Sequence, residues 1–391
     1  MKKLIPLVII LSFFMACKSE RKNTDGLLRI PINVEDVTSD AASFLEKIEI
    51  VPLETNDSIL FSYPSKILYD KETDTYAVMN RMNVFTFTGE GKAIGSSVNK
   101  RGQGPDEYTM IVDMKFNHFL GGIDLLSPYG TIYTYSPTFK LLARRSFKPE
   151  FPVSYMMPLS VDNYLFSFPY LWTDQEVAFM NISTGNTTYV KYQGMISGGN
   201  GLEHQHFHKL GDSFYFIPQG VNYYFYRIDT LEKKVSPAIF LDFGVNEIKE
   251  GELPGRASGK RVDNDKDRMD IADEYSVRHN FLRKSDKYVI PMQKFFNEHY
   301  VYIYMVKGQE SYGRHYIYNR MRDVGYLIKR GEPFCMYPCF AIDGNVLLAV
   351  CQPSELPMCV DRKFMAPEEI ATMEGIKDED NSIIIKYHLK R

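Results

Sequence analysis

Tyr223-Tyr-Phe-Tyr-Arg-Ile228 carries large apolar side chains at both odd and even positions. Successive side chains of a strand point to opposite faces, so a strand of this kind must be covered on both sides, as in stacked sheets. The same signature recurs along the chain, in Ile48–Glu54 (IEIVPLE), Thr75–Met79 (TYAVM), Val84–Phe87 (VFTF), Tyr164–Phe168, Val346–Cys351 and Ile383–Leu389. Turns rich in Gly, Pro, Asn and Asp separate these runs. Three or four short strands repeat about every 50 to 60 residues, close to the period of a propeller blade. Blades are expected to begin near Ile67, Thr109, Val153, Glu203, Val277 and Tyr337. The expected fold is all-β, a single six-bladed β-propeller over residues 30–391.

Two short helical or irregular insertions interrupt the rhythm, near residues 246–275 and 355–380. The first holds the charged stretch KRVDNDKDRMDIADEY. In the second, Pro367 followed by Glu368 and Glu369 reads as the first turn of a helix. Ile48–Glu54 precedes the first full blade and Ile383–Leu389 ends the chain. Pairing the two in one blade would hide both terminal sheet edges.

Composition agrees with a β-rich body. The chain has 27 Tyr, 26 Phe and 1 Trp, an aromatic share of 14%, and Tyr and Phe suit a pleated, half-buried surface. Hydrophobic residues at 44% and charged residues at 24% exclude a disordered chain and a polytopic membrane protein. A formal net charge of −3 gives no electrostatic footprint for nucleic acid.

The N-terminus reads as a targeting signal. Lys2 and Lys3 precede an apolar run from Leu4 to Phe14, too short for the ~20 residues of a membrane-spanning helix. Ala16 stands directly before Cys17, an arrangement that resembles the lipobox of bacterial lipoproteins. The resemblance implies cleavage after residue 16, acylation of Cys17 and a flexible tether over residues 17–29. Cys335, Cys339, Cys351 and Cys359 all lie near the C-terminus. Two disulfides and buried free thiols are both open readings of them.

Arg101-Gly-Gln-Gly-Pro-Asp-Glu-Tyr108 follows a strand pair and a Gly89-Glu-Gly-Lys92 turn. It resembles the blade junction of NHL-type six-bladed propellers. Val51-Pro-Leu-Glu-Thr55, Tyr226-Arg-Ile-Asp229, Phe240-Leu-Asp-Phe-Gly244 and Asp380-Asn-Ser-Ile-Ile-Ile385 extend the likeness to the six-bladed β-propeller lipoprotein family of Bacteroidota. Asp106 and Ser382 depart from the usual Gly and Pro of that pattern. The resemblance implies export and architecture, with a place in the bacterial cell envelope at the outer membrane, held through lipid alone.

Candidate site residues are few. Arg101 and Glu107 could bind a ligand at the ring surface, although a tight blade crossover is the plainer reading of that loop. Trp172 could offer a sugar-stacking platform. His204, His206 and His208 share one strand face at i, i+2 and i+4, so a divalent metal is the cofactor they could hold on the channel wall. A hydrated, metal-free channel strand is the plainer alternative. Asp113, Asp124 and Glu203 could complete such a site. No G-x-S-x-G elbow or Walker A loop occurs. The expected function is a non-enzymatic binding or scaffold module for a glycan, a peptide or a partner protein of the envelope. The alternative is a metal-dependent hydrolase or lyase at the channel mouth.

Overall fold

The computed structural model describes residues 26–38, 40–169, 176–197, 206–218, 221–255, 265–310, 313–329 and 334–391. Six sheets of antiparallel strands, four from each blade's main run, stand around one axis as a six-bladed β-propeller. The innermost strands are Lys66–Asp70, Asp113–Asn117, Tyr155–Pro158, Phe207–Leu210, Val289–Phe296 and Cys339–Asp343. Numbered in that order, the blades are one to six. The start of blade 5 differs from the expected position near Val277. The helix Asp265–Lys284 runs through that position, so the blade begins only at Val289. A second helical stretch, from Pro353 to Gly375, lies between the second and third strands of blade 6. No helix among the described residues is long and apolar enough to cross a membrane.

Strands apolar on both faces pack blade on blade. Tyr76, Val78, Phe85 and Phe87 of blade 1 meet Leu348 and Ile384 of blade 6. Ala77 and Met79, on the opposite face of the same strand, meet Ile123 and Leu125 of blade 2. The alternation therefore places one set of side chains in each neighbouring interface. Tyr302 and Tyr387 are fully buried, and each hydroxyl is hydrogen-bonded: that of Tyr302 accepts the Cys339 N–H at 2.9 Å and that of Tyr387 donates to the Cys359 carbonyl at 2.8 Å. Buried hydroxyls usually find such partners, and the fully buried Tyr76 hydroxyl is an exception.

The ring closes in blade 6. The strand Leu45–Pro52 pairs with the C-terminal strand Ile383–Leu389, with Ile50 opposite Ile385 and Val51 opposite Ile384. The segment before it straps the outer edges of two other blades. Leu28–Pro31 adds a parallel strand to Lys234–Asp242 of blade 4, and Val37 bridges Leu327 of blade 5. Exposed strand edges invite pairing with other chains, and this strap covers them. Gly91 of the Gly89–Lys92 turn has φ +81°, and a Cβ there would lie 2.3 Å from the Pro52 carbonyl oxygen. Only glycine permits that close seam between blade 1 and the closing strand.

Candidate functional site

A cavity of about 640 Å³ opens on the ring axis and draws its walls from all six blades, at the C-terminal ends of the inner strands. Such strands alternate between residues packed into blade interfaces and residues turned to the axis. In blades 1, 2 and 5 a lysine precedes an apolar residue in the inner strand: Lys66-Ile67, Lys115-Phe116 and Lys294-Phe295. All three lysines are buried.

Their surroundings differ. Lys66 forms an ion pair with Asp113, their side chains 3% and 0% exposed. The second oxygen of Asp113 accepts the Met156 backbone N–H at 2.8 Å, which holds blades 1, 2 and 3 together at the axis. The Lys115 ammonium donates to the Phe207 carbonyl at 3.1 Å. The Lys294 ammonium donates to the carbonyls of Asn222 at 2.5 Å and Tyr224 at 3.0 Å, and lies 5.5 Å from the Phe225 ring centroid. Burial, then repulsion by Lys66, pulls the Lys115 pKa down to about 7, against the attraction of Asp113. A carbonyl satisfies an ammonium's hydrogen bond without cancelling its charge.

His208 stands on the blade 4 wall of this space, and His206, two residues earlier, is buried against blade 3. The His206 ring lies on Tyr155, centroids 3.6 Å apart, and its Nδ1 is 3.1 Å from the Ser167 hydroxyl. Burial, then the ammonium groups of Lys66, Lys294 and Lys115, holds His206 well below its ordinary pKa. Burial, then Lys115, brings His208 down to about 4, while a backbone hydrogen bond to Phe296 opposes that shift. His208 lines the cavity, and its Nε2 is buried with no hydrogen-bond partner.

Of the histidines singled out in the sequence, His208 lines the cavity and His206 does not, while His204 lies outside the described residues, as do Glu203, Trp172 and Cys17. Three ammonium groups around the imidazoles oppose a divalent cation there. Among the described residues no group of three His, Cys, Asp or Glu side chains could hold a metal ion. Asp124 is not turned to the axis. It is fully buried between blades 2 and 3, accepting from Thr134 at 2.5 Å, Tyr164 at 2.7 Å and Asn117 at 2.7 Å.

Arg101 and Glu107 stay in the crossover from blade 1 to blade 2, away from the cavity walls. Arg101 is exposed, and Glu107 accepts the Gly104 N–H at 2.8 Å. The loop is pinned by Tyr108, fully buried, whose hydroxyl donates to the Met82 carbonyl at 2.8 Å and meets Ser97 at 2.6 Å. Among the described residues Cys335, Cys339, Cys351 and Cys359 form no disulfide, and the last three are buried. The lysines were absent from the sequence-based set. Their signal was the pairing of a charge with an apolar neighbour inside otherwise buried strands.

The fold has counterparts among solved structures. A Bacteroides fragilis protein described as exported is 17% identical, with a TM-score of 0.69 over 93% of this chain and all of that one. A Bacteroides vulgatus member of the DUF4221 family is 10% identical, with a TM-score of 0.48 over 88% of this chain and 97% of that one. No curated protein matches the sequence. The family described as a domain of unknown function, DUF4934, matches from residue 28 to residue 388, inside which lie all six blades and every wall of the axial cavity, and the chain belongs to that family.

Proposed function

We propose that the protein is an exported, non-catalytic binding propeller of the bacterial envelope, tethered by lipid on Cys17, that receives a ligand in its axial cavity. The observation that carries this reading is the cavity itself. Its size falls within the range of about 300–1,000 Å³ usual for small-molecule sites, and inner strands of all six blades build it. Export is supported by the Lys2–Cys17 signal and by the description of the Bacteroides fragilis protein of like fold. NHL-type kinship rests on the Arg101–Tyr108 junction. Glycan, peptide or protein partners of the outer loops remain compatible with the same role.

A melting-temperature screen against soluble glycans, short peptides and organic acids tests the reading. A ligand present at ~100 times its Kd stabilises the folded state by about 2.7 kcal/mol. Hits should shift the purified protein but shift the Leu210→Trp variant, which adds bulk to the cavity wall from blade 4, less or not at all. Hits indifferent to that substitution would overturn the cavity as the site. Turnover of ester, lactone or glycan substrates at enzyme-like rates would overturn the non-catalytic role.

A further inference from the structure

One wall of the axial cavity carries a neutral amide that the fold does not use. Gln293, in the blade 5 inner strand Val289–Phe296, is 4% exposed and lines the cavity. Among the described residues its side chain has no hydrogen-bond partner, yet neither the amide oxygen nor the amide nitrogen is sealed off. The register of the strand against Tyr300–Lys307 shifts between Pro291 and Gln293, and a bulge of this kind re-aims the side chains beside it. A buried amide without partners costs the fold stability, and a ligand that answers both of its halves recovers that cost.

The rim supplies the second feature. It carries Asp70, Glu72, Glu298 and Asp343 against Lys71 and Lys209. Asp70 and Glu72 each lie 3.5 Å from His118, and Asp343 lies 3.8 Å from Lys71. Glu298 is exposed and has no ionic partner among the described residues. It sits in the turn that follows the Gln293 strand, five residues on, so it lies at most about 18 Å from Gln293 along the chain. Between the two, Phe116, Phe119, Leu210, Phe214 and Ile342 give the cavity apolar walls.

We propose that the cavity takes the N-terminal end of a short peptide, its amine at Glu298 and one extended residue below paired with the Gln293 amide. This assignment rests on the reading of the cavity as a binding site. An extended residue shows its N–H and its C=O on one edge, the pattern by which antiparallel strands exchange two bonds between one pair of residues. A glutamine amide offers the matching acceptor and donor. Alternate side chains of an extended peptide point to opposite sides, which here are apolar walls. A neutral sugar could pair with the amide but would leave the rim carboxylate unanswered, and an anion would meet the acidic rim first.

Isothermal titration of the purified protein with Ala-Phe-Ala amide, its N-acetylated form and methyl galactoside tests the assignment. The free-amine peptide should bind about three- to fivefold more tightly than the acetylated one, the scale of an exposed ion pair. Glu298→Gln, at an exposed site, should erase that difference and leave the acetylated peptide unchanged. Gln293→Leu should weaken both peptides by about tenfold, the scale of two hydrogen bonds, with a melting temperature no lower than the parent's. A purely structural glutamine would give the opposite, a lower melting temperature, and that result would overturn its role. Should Gln293→Leu fail to fold, the same conclusion follows, and Glu298→Gln still tests the amine. Equal binding of the free and acetylated peptides would overturn the place given to the amine. Methyl galactoside binding, with neither peptide bound at up to about 20 mM, where even millimolar affinity registers, would overturn the peptide class and keep the cavity as a binding site. The Leu210→Trp screen decides the binding reading separately.

Discussion

Lys66 and Asp113 form an ion pair on the ring axis, almost wholly withdrawn from water, that joins the inner strands of blades 1 and 2. Two charges taken out of water repay their desolvation only together. Asp113→Asn keeps an acceptor for the Met156 N–H but leaves the Lys66 ammonium buried without its anion. The expected loss is about 3–5 kcal/mol in urea unfolding. The double variant Lys66→Met/Asp113→Asn should recover part of that loss. A double variant as unstable as the single one would show that the pair is not coupled.

The architecture was legible because its signal is physical and local. Runs such as Tyr223–Ile228 fit only a strand covered on both faces, and the inner strands at Lys66, Asp113, Tyr155, Phe207 and Cys339 begin within a few residues of the expected positions. The closing pair was equally readable, since Ile48–Glu54 precedes the first full blade and Ile383–Leu389 ends the chain. The start of blade 5 was not. Met269, Val277 and Phe281 of the helix Asp265–Lys284 are exposed, so no buried apolar stripe marked how far the helix continues. The axial site was half legible. His206 and His208 advertised a shared strand face. Lys66, Lys115 and Lys294 did not, because a lysine in a strand ordinarily reads as solvated, and only the closed ring turns those positions to the axis.

Closure should dominate stability. Ile385 is fully buried, opposite Ile50 on one side and Ala349 on the other. Ile385→Ala should cost about 2–5 kcal/mol in urea unfolding. Leu231→Ala, at a site 94% exposed, should stay within about 0.5 kcal/mol of the parent. Equal effects would contradict the role given to the closing strand.

Acid should loosen the ring through its buried imidazoles. His208 is brought down to about 4 and His315 to about 3 from an ordinary 6.5, each by burial first. The unfolded chain therefore binds protons below pH 6.5 that the folded chain refuses. Stability is intact above pH 6.5 and falls as the pH drops towards 4, by up to about 1.4 kcal/mol per pH unit for each imidazole. Melting curves between pH 7 and 4 should show this, and His315→Gln should give a shallower fall. A slope unchanged by that substitution would contradict the assignment.

Lys115 should be a residue kept at a cost to stability. Its pKa, brought down to about 7 by burial and Lys66, means that the charged form is disfavoured in the fold. Lys115→Met should raise stability at pH 6, by about 1–4 kcal/mol. Between pH 7 and the ordinary lysine value of 10.5 the parent sheds that burden, so the gain should shrink as the pH rises. A variant that loses stability would mean that Lys115 serves the fold instead.

A crystal structure of the protein with a ligand found in the melting-temperature screen would decide whether the axial cavity is the place of binding. The account predicts one molecule inside the ring, against inner strands of the six blades. An empty cavity with the ligand seated on the outer loops would contradict it.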